Sequence, residues 1–445
     1  MKDLNVIMDE LVKRIKLTKI PMWDVFCVHT DLYENQFRKF DIEITRQAVD
    51  FYYIIRVFAE KGDQFGVGVV KANTTKPSHF DSLIKQAQQL AKLNVTPKYE
   101  LPQRGQSYPD IKLAENKIVT DPEGMLHEKS EELNSIVQSL PHIKPTFGKL
   151  RIYISTKGLR NSEGLSLTDS KTSLFLEYPL KAEDGGKLAE FWGRTEVKNL
   201  QQLDLQNRLA KWAEITVDSL LAKIPPPAKS ISVIFPPKIV NDAFSSTIGH
   251  HATGAALSDG ISKFKQGEIV AMDTFYLKDN GIMPDGLSVG NWDGEGTPQR
   301  ATPLIDSGKF RNYLFDQKYA KLQQAASTGN GIRTVEGTIV NSTTNLEIPA
   351  GTESVDALIS SVKYGILIEE FSWLNPSEIS GDFGAEIRNG YLIENGRKTT
   401  PIKGGNLSGN TFEMIKAIEG SSKERKTEEN YKFPYLKFSG LILSS

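Results

Sequence analysis

Residues 231–260, ISVIFPPKIVNDAFSSTIGHHATGAALSDG, give the chain its frame. Ile231–Phe235 is a short apolar run that reads as a strand. Pro236-Pro237 breaks it. Asn241 to Ser258 then offers small and apolar residues at helical spacing and predicts a helix. A strand, a break and a helix in that order hold reactive groups at the mouth of a sheet. The tandem pair His250-His251 inside the helix makes this the first place to look for chemistry.

Upstream of this unit, Leu205, Leu209, Trp212, Ala213, Thr216 and Leu220 share one face of a long predicted helix that stops before Pro225-Pro226-Pro227. Three prolines cannot continue a helix, which sets a domain boundary there. The expected organisation is α+β in two domains, 1–225 and 226–445. The first opens with a helix whose buried stripe is Leu4, Ile7, Met8, Leu11 and Ile15. Strands follow from Phe37 to Thr45, and a hairpin from Phe51 to Val70 turns at Lys61-Gly62-Asp63. Pro77-Ser78 with Asp81 reads as a capped helix start, residues 95–120 as a surface connection, Met125 to Leu140 as a helix, and Leu150, Ile152 and Ile154 as the inner face of a strand. More strands are expected from Leu174 to Val197.

The second domain reads as mainly β with few helices, placed near Lys318–Ala326, Ser354–Tyr364 (closed by Gly365) and Asn410–Ile418. Glu419 to Asn430 reads as a charged, mobile tail and Phe433 to Leu443 as a last strand.

Fifty-four basic residues against 55 acidic ones leave a formal charge of −1, so no positive field gathers phosphates and a dedicated nucleic-acid binder is disfavoured. The single cysteine, Cys27, excludes an internal disulfide and a zinc site built on several thiolates. No run approaches the roughly 20 apolar residues needed to cross a bilayer. A soluble cytoplasmic protein without membrane partners is expected.

Six ordered blocks in the second half are less generic: Gly294-Glu295-Gly296-Thr297-Pro298, Ser327-Thr328-Gly329-Asn330, Thr344-Asn345-Leu346, Gly381-Asp382-Phe383-Gly384, Ile393-Glu394-Asn395-Gly396 and Ser408-Gly409-Asn410. With Asn161-Ser162-Glu163-Gly164 in the first half, their order and spacing resemble the signature blocks of the TldD/PmbA family, also called modulator of DNA gyrase. The resemblance implies a zinc metallopeptidase branch, TldD, with HExxxH on a helix of the second domain and a late cysteine as a further ligand. Aligned through Gly249-His250, the first histidine falls on Ser245 and the glutamate on Ser246. Only His250 remains, and no cysteine follows Cys27.

A catalytic zinc takes three protein ligands and leaves one position for a water that a carboxylate deprotonates. Ser245 is a poor ligand and Ser246 is no base. His250 and His251 are weak metal candidates, since helix neighbours point about 100° apart, and Asp259 lies in a predicted turn. This loss resembles the PmbA/TldE branch. The resemblance implies a non-catalytic subunit that pairs with a zinc-containing TldD-like partner as a heterodimer acting on peptides, forming at most a homodimer alone. Two other readings stand beside it: a metallopeptidase acting alone with a non-standard metal site, and a regulator that binds gyrase or DNA.

Asp293, Glu295 and Asp306 are possible acid/base carboxylates, although Asp293-Gly294-Glu295-Gly296 reads better as a turn. Ser327–Asn330 lacks the lysine of a phosphate-binding loop. Cys27 sits in an apolar stretch as a small core residue.

Overall fold

A computed structural model of the protein describes residues 4–445. Helices pack on mainly antiparallel sheets, the α+β class expected from the sequence. The N-terminal half carries a seven-stranded antiparallel sheet in the order Arg194–Val197, Ser166–Glu177, Phe147–Asn161, Met22–Arg38, Asp41–Lys61, Gln64–Ala72, Thr96–Pro97. Side chains alternate across it. Trp23, Val25 and Cys27, with Ile55 and Val57, meet the helices Leu4–Leu17 and Phe80–Leu90. Further along the same face, Leu150, Ile152, Leu174 and Leu176 meet the helices Pro122–Ser139 and Leu205–Asp218. The predicted stripe of the opening helix is buried at all five positions.

The opposite face, with Asp24, Phe26, Arg56 and Lys157, turns toward the C-terminal half. There, Ala228–Phe235, Tyr364–Phe371, Asp382–Glu394, Asn406–Asn410 and Tyr431–Ser444 pair in that order, and the last returns to pair with the first. Five strands thereby close into a ring, which leaves no free edge within it. Phe235, Phe244 and Phe438 pack edge to face at its core, with ring centres 5.4 Å (Phe235–Phe438) and 6.2 Å (Phe244–Phe438) apart.

Several local expectations are corrected. Phe37–Thr45 is not one strand: it holds the end of Met22–Arg38, a turn at Lys39-Phe40 with Lys39 at positive φ, and the start of Asp41–Lys61. Ser78 caps nothing: Pro77–His79 is a 3-10 turn ahead of the helix, and Asp81 pairs instead with Arg14 at 2.6 Å. Gly365 lies inside a strand, and the helix before it spans only Val355–Ser360. The helices expected near residues 318–326 and 410–418 shorten to Gln317–Leu322 and Thr411–Met414. The largest change concerns the charged tail. Ile418–Glu428 is a strand paired antiparallel to Tyr431–Ser444. Its other edge meets residues 351–353 around Ser422, and charged residues along the rest discourage further pairing. No helix among the described residues is long and apolar enough to cross a membrane.

Candidate functional site

The strand Ala228–Phe235 runs into the helix Pro237–Phe244, whose proline occupies a first-turn position where no N–H is needed. Ile239, Val240, Ala243 and Phe244 bury its inner face. From Ser245 to Gly249 the helix widens into a π turn. Residues five apart on an α-helix point about 140° apart, whereas hydrogen bonds closing five residues apart bring i and i+5 back toward one side. Ser245 and His250 are such a pair. The burial agrees: Thr247, Ile248 and Gly249 are buried, while Ser245, Ser246 and His250 are partly open. The backbone thus holds the spacing of the HExxxH positions on one side although serines stand at two of them.

His251 has a different role. It is fully buried between Phe412 and Phe264, with ring centres 4.8 Å and 6.1 Å away. The Lys263 N–H donates to its Nδ1 at 2.9 Å, which leaves the proton on Nε2 to be donated to the Glu378 carbonyl at 2.6 Å. Burial lowers its pKa below the ordinary imidazole value, an effect the Glu378 carbonyl partly opposes. With both nitrogens engaged, no lone pair is left for a metal. The His250 ring lies 5.9 Å from it, nearly perpendicular at 80°. Beyond, Thr253 leaves the helix and caps a short second one, Gly254–Ser258, at whose end Asp259 sits.

The zinc implied by the resemblance does not fit these residues. Two hydroxyls and one imidazole form a poor donor set. Among the described residues no group of three His, Cys, Asp or Glu side chains is placed to hold a metal ion. Cys27 is buried in the N-terminal core, and burial pushes its thiol far above the usual range.

A second polar centre, not anticipated from the sequence, lies between the halves. Arg56 donates to Asp24 at 2.6 Å and reaches Glu295 at 3.5 Å, and Arg333 lies 3.1 Å from Asp24 on its other side. All four are buried or nearly so. Burial alone would raise the Asp24 pKa, but Arg333 and Arg56 together hold the carboxyl below its ordinary value. Burial and the nearby Arg56 work against the Arg333 charge. No local pattern foretells this centre, because its members stand at positions 24, 56, 295 and 333.

Asp293 and Glu295 serve the loop that carries this contact. Asp293 accepts from the N–H groups of Glu295, Thr297 and Gly331, each at 2.9 Å. Burial, aided by Glu295, raises its pKa. Gly296, at φ +95, passes so close to Leu165 of the first half that an added Cβ would lie 2.4 Å from its side chain. Asp306 is elsewhere, paired with Arg311 at 3.0 Å. Two further signature blocks meet at one carboxylate: Asn330 and Thr344 both donate to buried Asp279, whose carboxyl burial pushes up to about 6.

Residues 228–445 match the family model of the PmbA/TldA metallopeptidase C-terminal domain. An uncharacterised protein of Methanocaldococcus jannaschii is 34% identical over 202 residues, 44% of this chain and 48% of that protein. A Buchnera aphidicola protein named as a TldD-homologous metalloprotease is 27% identical over 284 residues, 60% of this chain and 58% of the relative. The chain thus spans about half the length of these curated relatives. Among solved structures, TldE from Thermococcus kodakarensis superposes with a TM-score of 0.88 at 20% identity, covering 99% of this chain and all of that one.

Fold and matches together define a protein related to metallopeptidases. The chain belongs to the TldD/PmbA family.

Proposed function

We propose that this chain is a non-catalytic, TldE-like subunit of a cytoplasmic metallopeptidase complex, paired with a zinc-bearing TldD-like subunit that cleaves peptides or unfolded segments. The reading rests on one observation. The helix has a π turn that lines up positions 245 and 250, yet Ser245 and Ser246 stand where a ligand and a general base would be needed. A backbone kept with its donors gone suits a subunit that shapes a chamber for chemistry done elsewhere. Within that chamber, an extended peptide held by strand addition would be read through its backbone and tolerate many side chains.

Co-expression with a family member that has intact HExxxH and a late cysteine tests it. A complex with one copy of each chain, zinc held by the partner alone and peptidase activity only when both are present support the proposal. About one tightly held zinc per copy of this chain, lost together with activity on His250→Ala, overturns it.

A further inference from the structure

The face of the N-terminal sheet that looks toward the C-terminal half carries lysines near its middle. Strand alternation puts Lys157, and Asp169 and Lys171 of the neighbouring strand, on that side, with Lys157 opposite Asp169 in the ladder. Trp292, Gln299 and Arg333 of the C-terminal half roof this patch and leave a cavity of about 480 Å³ between the halves. That volume accommodates a small ligand.

Charges in such a place need partners. Lys157 donates to the Trp292 carbonyl at 3.2 Å and holds its ammonium 4.0 Å from the centre of the Trp292 ring. Lys171 donates to the Leu287 carbonyl. The Asp169 and Asp293 carboxylates favour the Lys157 charge and Glu196 favours that of Lys171, while Lys198 opposes it, but the hydrogen bonds of both ammonium groups go to backbone carbonyls. Burial lowers both pKa values, and the charge of Lys157 helps bring Lys171 down to about 8. The same cavity holds acceptors without donors: Asp169 Oδ2 and Gln299 Oε1 have no hydrogen-bond partner among the described residues. Glu196 lines it as well.

Cations hydrogen-bonded only to backbone carbonyls, and acceptors without donors, share one cavity and match a small zwitterion. A phosphate dianion would face Asp169 and Glu196 with the wrong sign. We infer that this cavity binds an α-amino acid or short peptide through its free carboxylate, clamped by Lys157 and Lys171, with its ammonium at Asp169. The inference uses no residue of the helix 237–258 and stands apart from the subunit proposal.

Titration calorimetry of the full chain with leucine, glycyl-leucine, glycyl-leucine amide and inorganic phosphate tests it. Saturable binding of leucine or glycyl-leucine is expected, and the tighter of the two identifies the source of the carboxylate. Amidation, Lys157→Met or Lys171→Met should each weaken binding about tenfold or more. At pH 8, binding should take up about half a proton as the anion restores the Lys171 charge, read from buffers of different ionisation heat. Absence of binding at millimolar concentration, equal affinity for the amide, or phosphate binding as tightly as the zwitterions overturns the inference. The amide comparison needs no variant, so it decides even if a lysine substitution unfolds the chain.

Discussion

Arg333 Nη1 lies 3.1 Å from Asp24 Oδ1, with the two side chains 1% and 2% exposed, and so a buried ion pair joins the C-terminal half to the first strand of the N-terminal sheet. Arg56 and Glu295 complete a balanced set of two cations and two anions.

Removing one member leaves a buried charge unmatched. Asp24→Asn is expected to cost about 3–5 kcal/mol in urea unfolding. Combined with Arg333→Met, the loss should fall short of the sum of the two single losses, because the residues share one network. Additive, near-zero effects would mean that the halves do not depend on this contact.

Ser245→His with Ser246→Glu restores two HExxxH positions on a turn already wide enough to align 245 with 250. No peptidase activity and no zinc surviving dialysis are expected, since a further ligand is still missing. Hydrolysis of a fluorogenic peptide above the level of the unmodified chain would show that another side chain completes the site.

His251 gives a pH signature. Its folded pKa is lowered by burial, so as pH falls below the unfolded value of about 6.5 the unfolded chain takes up its proton first and stability drops. Above that value the group contributes no slope. Unfolding midpoints across this range should fall more steeply for the unmodified chain than for His251→Gln, and parallel curves would refute the assignment.

Lys171 acts in the alkaline range. Burial lowers its folded pKa to about 8, while the unfolded chain keeps the proton to about 10.4. Between the two the unfolded state binds more protons, so the contribution of this lysine to stability improves as pH rises. The stability difference between the unmodified chain and Lys171→Met should shift in favour of the former from pH 8 to about 9.5. A flat difference would contradict it.

Periodicity made much of the fold legible. Leu4, Ile7, Met8, Leu11 and Ile15 announced the opening helix, and Leu150 and Ile152 a buried strand face, because each faces a continuous apolar neighbour. Ile418–Glu428 was not legible, because a peripheral strand with charged side chains has the composition of a tail. The site divided similarly. The serines at 245 and 246 could be read from the aligned positions, but the π turn has no compositional mark. Lys157 and Lys171 alternate like solvent-facing residues, and only the docking of the second half partly covers them. Asp24, Arg56, Glu295 and Arg333 become neighbours only through tertiary structure.

The closed strand ring also imposes an order of events on folding. Ala228–Phe235 has Tyr364–Phe371 on one side and Tyr431–Ser444 on the other, so its second ladder waits for a segment made about two hundred residues later. The N-terminal sheet needs nothing beyond Val197 and can assemble during synthesis, while the ring stays open until its last strand emerges. During that interval one flank of Ala228–Phe235 is an unpaired strand edge, open to mispairing.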